Sequence, residues 1–403
     1  MTHPLWAEGW PAGSPDDESG STQVAGAQFR KYLVAPSMQD PRLVLPTRPH
    51  RAAKQILHAL RDGTSSRARA RTVALRSAQV ANVGTTRLPD PTLLPVIARH
   101  LGGEAADYVV GVHLGPPRAN RKPVIAIANR EGDLVAFAKC GVDPLTDRLV
   151  EHETAALAKL TGLSRVTVPT LIAAGEHHGH PYVVQTPVAN EPRSSDPDSV
   201  VAAQIEVASV GAETLDRRSC IEVINTGWHE RLARSLDESA TRAFAQEADK
   251  WCAEAGRAAL RWGSWHGDWR RTNMAVTRAG CAVWDWERFG QGVPMGYDAL
   301  HLFLTTRASA VHDLSTLPTD LRDNAVRLLR PFGVTNRVDA ELITTGYFLE
   351  LAGRYLDDDQ AHSGARLGAV AQWLLPHLQG SESQGDGRSV ATETSEGGGV
   401  PQS

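Results

Sequence analysis

Between His266 and Glu287 the chain reads H-G-D-W-R-R-T-N-M-A-V-T-R-A-G-C-A-V-W-D-W-E. Asp268 is followed five residues later by Asn273 and, at the end of an apolar run, twelve residues further on by Asp285. These residue types at these spacings suit phosphoryl transfer. One carboxylate must orient or deprotonate the attacking hydroxyl. Hard oxygen ligands must hold the Mg²⁺ that neutralises the nucleotide phosphates. The rival reading makes His266-Gly267-Asp268 an ordinary turn and Asp285 a strand-end carboxylate, because Asp and Asn side chains satisfy nearby backbone groups. The elements upstream have to decide between the two.

The order H-G-D-x-x-x-x-N, then an apolar strand, then D-W-E resembles the aminoglycoside phosphotransferase / choline kinase family of small-molecule kinases. Two features depart from the usual pattern. Trp284 stands where a small aliphatic is commoner, and Arg270-Arg271 replace the family's frequent His-Pro or Pro-Trp pair. The resemblance implies a protein-kinase-like α+β fold with a β-rich N-lobe and a mainly helical C-lobe. It also implies roles: Asp268 as the catalytic carboxylate, Asn273 and Asp285 as Mg²⁺ ligands, and ATP or GTP as co-substrate.

The N-lobe of such a fold must supply a phosphate lysine held by a helix glutamate. Three strands are expected at Tyr108–His113, Val124–Ala128 and Leu134–Lys139, the last two joined by the turn Arg130–Asp133. A helix from Pro144 to Leu160 follows. Lys139 closes the third strand, and Glu153 lies in that helix ahead of Leu157 and Leu160 at core spacing. By resemblance, Lys139 and Glu153 form the clamp on the α and β phosphates. Glu151 is the alternative, on another helix face. The loop Leu114–Lys122 lacks a G-x-G-x-x-G, and Pro116 and Pro117 remove two backbone donors. Tyr182–Thr186 reads as the last strand of the lobe. The connector after it is the hinge implied by the resemblance, where Pro187 cannot donate and the amide of Val188 is the candidate partner of the base.

The C-lobe reads as helices. The clearest runs from Asp237 to Leu260, with Phe244, Ala248, Trp251 and Ala255 on one face, and it leads to Trp265 and the loop. Asp298 begins a helix at Tyr297–Leu304, either as an N-cap or, by resemblance, as a brace behind the loop. Further helices are expected at Leu317–Leu329, Val338–Tyr355 and Ala361–Leu378. His266 is expected to be structural. Glu287 reaches either the metal region or the surface. Asp357-Asp358-Asp359 is read as a solvated helix end.

Residues 28–104 form a small accessory segment or an extension of the N-lobe. They hold short strands between Phe29 and Leu45, a helix at Arg51–Leu60, an arginine-rich stretch from Arg61 to Arg76 and a helix at Leu93–His100. The kinase-like lobes are placed at 105–189 and 190–379. The stretches 1–27 and 380–403 are polar, glycine-rich tails.

The 403 residues carry a net charge of −4, so a polyanion such as nucleic acid is not the expected partner. The 4 cysteines are scattered without metal-ligand spacing, as in a cytosolic protein with reduced thiols. No apolar run is long enough to span a membrane. The expected partner is a small-molecule hydroxyl acceptor such as an aminoglycoside, sugar or amino alcohol. Two rivals stand beside this reading. A protein kinase is disfavoured because little room for an activation loop separates Asp285 from Asp298. A catalytically silent nucleotide-binding scaffold is disfavoured by the presence of Lys139, Asp268, Asn273 and Asp285 together.

Overall fold

The computed structural model describes residues 29–60, 66–188, 196–233, 238–362 and 366–379. Both expected tails, and the start of the linker after Val188, lie outside these described residues. Two lobes are built in chain order, the first mostly strand and the second mostly helix.

The first lobe begins with β1 (Phe29–Pro36), β2 (Pro41–Pro46), α1 (His50–Ala59), α2 (Ser66–Ala81), β3 (Thr85–Pro89) and α3 (Leu94–His100). The strands β4 (Tyr108–His113), β5 (Val124–Asn129) and β6 (Leu134–Cys140) follow, then α4 (Pro144–Lys159), β7 (Val166–Thr167), β8 (Leu171–His177) and β9 (His180–Gln185). Eight strands make one sheet in the order β3-β1-β2-β4-β5-β6-β9-β8. Residues 29–89 therefore extend the lobe's own sheet, with β2 pairing β4 through Leu43–His113 and Val44–Val112.

Alternation decides what each face of this sheet meets. Val110, Val112, Ile125, Ile127, Ala136 and Ala138 pack under α3, through Leu94, Ile97 and Ala98. Val109, Ala126 and Ala128 point the other way, onto Ala52, Ile56 and Leu57 of α1. The close approach of α1 depends on Gly111, where a Cβ would lie 2.4 Å from Ile56 Cγ2. On this second face, Val183 of β9 meets Val150 and Leu157 of α4. Lys139 pairs with Val183, so its side chain shares that face. The start of α4 is fixed by Asp143, whose carboxylate accepts from the amide of Thr146 at 2.8 Å while the Thr146 hydroxyl bonds back to the Asp143 amide.

The second lobe holds α5 (Pro197–Ser209), α6 (Arg217–Ala233), α7 (Glu238–Ala255), β10 (Trp262–Trp265), β11 (Met274–Thr277), β12 (Gly280–Val283) and β13 (Gly290–Pro294). It ends with α8 (Tyr297–Ala308), α9 (Leu317–Leu329), α10 (Arg337–Asp357), α11 (Val370–Trp373) and α12 (Leu375–Gln379). Its core is aromatic, with Trp228, Phe244, Trp251, Trp262, Trp265, Tyr297 and Tyr347 all buried. Trp251 Nε1 donates to Leu342 O at 2.8 Å, which satisfies the one polar atom of that ring.

One expected element differs. The helix read at Ala361–Leu378 is a 3-10 turn at Arg366–Gly368 followed by the short α11 and α12. A Cβ at Gly368 would lie 2.6 Å from the backbone of Gln360. That close crossing, with Pro376 lacking an N–H, prevents one continuous helix. Among the described residues no helix is long and apolar enough to cross a membrane.

Candidate active site

The loop from His266 to Asn273 joins β10 to β11, and β12 returns beside β11 to deliver Asp285. Asp285 adopts a left-handed backbone, φ 73° and ψ 54°, a conformation Asp tolerates better than most residues. Trp269 and Trp286 are both fully buried and anchor the two ends of the hairpin.

The loop is held from below. Asp298 Oδ2 accepts from the His266 amide at 2.8 Å and Oδ1 from the Gly267 amide at 3.2 Å. Gly296 is the N-cap of α8, so Asp298 is the brace and not the cap. Burial pushes the Asp298 carboxyl up to about 7, and the two amide donors pull it only part of the way back. Arg354 of α10 donates to Gly267 O and lies 6.0 Å from the Trp265 ring. Gly267 has φ +82°, and a Cβ there would sit 2.1 Å from Arg288 O, so only glycine fits.

His266 is completely buried. Its Nδ1 accepts from the Asp268 amide at 3.1 Å, and Nε2 lies 3.1 Å from Trp284 O. The ring packs on Trp286 at 4.5 Å. Burial lowers its pKa to about 4, so it is a neutral strut.

Asp268 is surrounded by donors. Arg270 Nε reaches its Oδ1 at 2.9 Å, and His301 Nε2 reaches the same oxygen at 3.1 Å. Asn273 Nδ2 donates to Oδ2 at 2.9 Å. Burial alone would raise the carboxyl, but Arg270 and His301 outweigh it and hold it well below the usual carboxylate range. His301 is fully buried on α8, and its Nδ1 lies 3.0 Å from Tyr347 OH. Burial lowers its pKa to about 4. A neutral ring then donates Nε2–H to Asp268 and accepts the Tyr347 proton at Nδ1.

Lys139 spans the cleft. Its Nζ lies 2.7 Å from both carboxylate oxygens of Glu153 and 2.7 Å from Asp285 Oδ1. Burial would lower its pKa, but Asp285 and Glu153 reverse the effect and keep the ammonium charged. Burial would likewise raise Asp285, and Lys139 holds it far below the normal range. Glu153 is 0% exposed while Glu151 is exposed on another face, so the contact with Lys139 belongs to Glu153.

Oxygens of Glu153, Asp285 and Glu287 lie within 4.8 Å of one another. Three hard carboxylates at that spacing suit a Mg²⁺ ion. Glu287 is 3% exposed, which removes the surface reading of that residue, and it pairs with Lys122. Asn273 turns its nitrogen to Asp268, and its Oδ1 accepts from Thr272 Oγ1 at 3.3 Å. Val188 is half-buried just beyond β9. Arg121 fastens the loop between β4 and β5 by donating to Leu114 O at 3.0 Å and Pro41 O at 2.9 Å. Asp358 is also buried, at 3% exposure, and pairs with Arg288. Asp357 is half-buried, with Arg148 at 3.9 Å, so the solvated reading of the acidic helix end holds for Asp359 and fails for Asp357 and Asp358.

Sequence reasoning passed over His301, Lys122 and Arg354. His301 lies one helical turn after Asp298 on α8, a D-x-x-H spacing that places both on one face. Lys122 and Arg354 carry no local signal, because their partners lie 165 and 87 residues away in the chain.

Residues 142–314 match the model of the phosphotransferase enzyme family, APH. Glu153, Val188, Asp268, Asn273 and Asp285 fall within the match, and Lys139 lies just before it. No curated protein matches the chain. Similar solved structures include a thermostable mutant of aminoglycoside phosphotransferase APH(4)-Ia in ternary complex with AMP-PNP and hygromycin B. It has 12% identity over 72% of this chain and 100% of that one, with a TM-score of 0.48. Another is aminoglycoside phosphotransferase APH(3'')-Id from Streptomyces rimosus in complex with ADP and streptomycin. It has 15% identity over 63% of this chain and 96% of that one, with a TM-score of 0.41.

Proposed function

We propose that this phosphotransferase moves the γ-phosphoryl group of ATP or GTP to a hydroxyl of a small molecule. The observation that carries the reading is the bridge from Glu153 through Lys139 to Asp285, 2.7 Å on each side, at the mouth of a loop that presents Asp268. Lys139, fixed by Glu153, binds the α and β phosphates. The Val188 amide meets the base. Asp285 and Asn273 Oδ1, with Glu287, would hold Mg²⁺. A bound Mg²⁺ supplies charge neutralisation at the transferring phosphoryl group.

Asp268 receives the acceptor hydroxyl. Its Oδ1 is taken by Arg270 and His301, whereas Oδ2 has only Asn273. The hydroxyl therefore adds at Oδ2, whose second lone pair is open. Asp268 is a weak base in this setting. Its main work is orientation, and it takes the proton late, as a loose transition state allows. His301 fixes the rotamer of Asp268, and Asp298 fixes the backbone that carries it.

The surroundings of Asp268 bear on the acceptor. Arg270, Arg354 and Arg288 all interact electrostatically with its carboxylate. Arg270 and Arg288 are each paired with a carboxylate, Asp268 and Asp358, so the flank offers arginine donors more than free positive charge, and such donors favour a neutral or anionic polyol. The test is MgATP and MgGTP consumption against separate pools of aminoglycosides, amino alcohols, neutral sugars and sugar acids, beside Asp268→Ala. Turnover with a sugar pool, lost in the variant, is the expected outcome. Turnover confined to the aminoglycoside pool would overturn the acceptor reading, and no turnover with any pool would count against the transfer itself.

A further inference from the structure

We propose that Lys122 is a second phosphate-binding lysine, held on Glu287 until a magnesium nucleotide enters the cleft. The inference rests on the nucleotide reading given above.

Lys122 ends the loop between β4 and β5, and its Nζ reaches across the lobes to the carboxylate of Glu287. Both side chains are nearly inaccessible, at 6% and 5% exposure. Val124, two residues on, pairs with Lys139, so Lys122 enters the cleft from the loop that leads into β5, next to the strand that carries Lys139. They also address one group of acids. Lys139 holds Glu153 and Asp285, and Lys122 acts electrostatically on both of those as well as bonding Glu287.

The argument is one of exchange. Three carboxylates and two ammonium groups nearly balance in the cleft. Glu287 carries a single negative charge, so sharing it between Lys122 and a cation weakens its hold on the lysine. Once Glu287 turns to a cation, Lys122 stays buried but loses its one bonded carboxylate, which is unfavourable. The anion that arrives with the cation is the polyphosphate, and the lysine stem is already anchored in the loop that lies above it. Lys122 then pairs with phosphate oxygens, a charge-assisted contact in a low-dielectric site. The loop thus gains through a side chain what Pro116 and Pro117 deny it in backbone donors.

The test compares wild type, Lys122→Met and Lys122→Arg by calorimetric titration with MgATP, MgGTP and the free nucleosides, with no acceptor present. Thermal midpoints of each variant check folding. The expected result is a loss of roughly tenfold or more in triphosphate affinity for Lys122→Met, as for one charge-assisted contact. Nucleoside affinity should stay unchanged, and Lys122→Arg should recover part of the loss. Equal or tighter triphosphate binding by Lys122→Met overturns the proposal and leaves the pair as a bolt between the lobes. An equal loss for nucleoside and triphosphate also overturns it, since the effect would then be on the cleft as a whole. Wild type that binds neither MgATP nor MgGTP would instead defeat the nucleotide reading, and Lys122 with it.

Discussion

Replacing His301 by Gln offers a measure of how the Asp268 carboxylate is set. Gln keeps a donor for Asp268 and an acceptor for Tyr347 but cannot be protonated. In the folded chain burial lowers the imidazole from its ordinary 6.5 to about 4. A group with a depressed folded pKa contributes stability that is complete above pH 6.5. The contribution is lost as pH falls towards 4, because the unfolded chain binds the proton first. At about 1.4 kcal/mol per pH unit the full effect is roughly 3 kcal/mol. His266, His152 and His177 shift in the same direction and Asp298, Asp90 and Glu153 in the opposite one, so the wild-type curve alone would mix several contributions. The difference between wild type and His301→Gln cancels the others.

The assay is urea denaturation of both proteins at half-unit steps from pH 4 to 7.5. Relative to the variant, wild type should lose about 3 kcal/mol of stability on going from pH 7 to pH 4. Parallel curves would show that the ring titrates alike in folded and unfolded chains. A gain on acidification would show an imidazolium paired with Asp268. Either result would refute the neutral donor on which the orientation of Asp268 depends.

Three further outcomes are expected. Asp268→Asn should lower turnover by roughly 10²–10⁴-fold without weakening MgATP binding, measured by steady-state kinetics and by titration; a weakening as large as the loss of turnover would assign Asp268 to nucleotide binding. Lys139→Met should weaken MgATP by roughly 10-fold or more while leaving nucleoside binding intact, because the lost contact is charge-assisted; unaltered affinity would remove Lys139 from the phosphate site. Asp298→Ala strands the amides of His266 and Gly267, and should cost on the order of 2–4 kcal/mol in chemical denaturation, with Asp298→Asn milder because it keeps one acceptor. A change below about 0.5 kcal/mol would mean that water replaces the carboxylate.

The parts of this chain that local patterns specify were legible from the residues. β4, β5 and β6 alternate or run apolar between clear turns, and α4 opens with Asp143-Pro144 at its cap. The two edge strands of the sheet, β3 and β8, were not legible. Their sequences T-T-R-L-P and L-I-A-A-G-E-H lack a strong β pattern, because an edge strand borrows its conformation from a single neighbour. The site divides in the same way. Asp268, Asn273 and Asp285 sit at fixed spacings on one hairpin. The contacts that hold them come from His301, Arg354 and Lys122, whose positions depend on how helices and lobes pack. Asp358 was misjudged for a related reason: the end of α10 looks solvated in isolation, and only the approach of Arg288 makes it an interior residue.

The charges in the cleft are hard to account for as a stability device. A buried ion pair seldom stabilises a fold more than well-packed apolar residues of similar volume would. Here Lys122, Lys139, Glu153 and Glu287 are all withdrawn from water at one seam between the lobes, with Asp285 beside them. Each acid in the group has a cation supplied from the N-lobe, Lys139 from β6 and Lys122 from the loop before β5. Such an arrangement costs desolvation on every member. It becomes intelligible on the proposed function, in which the partners change: the acids would turn to a divalent cation, and the lysines to the phosphates that the cation carries. On that function the ion pairs seen between the lobes mark the places that metal and phosphate would compete for.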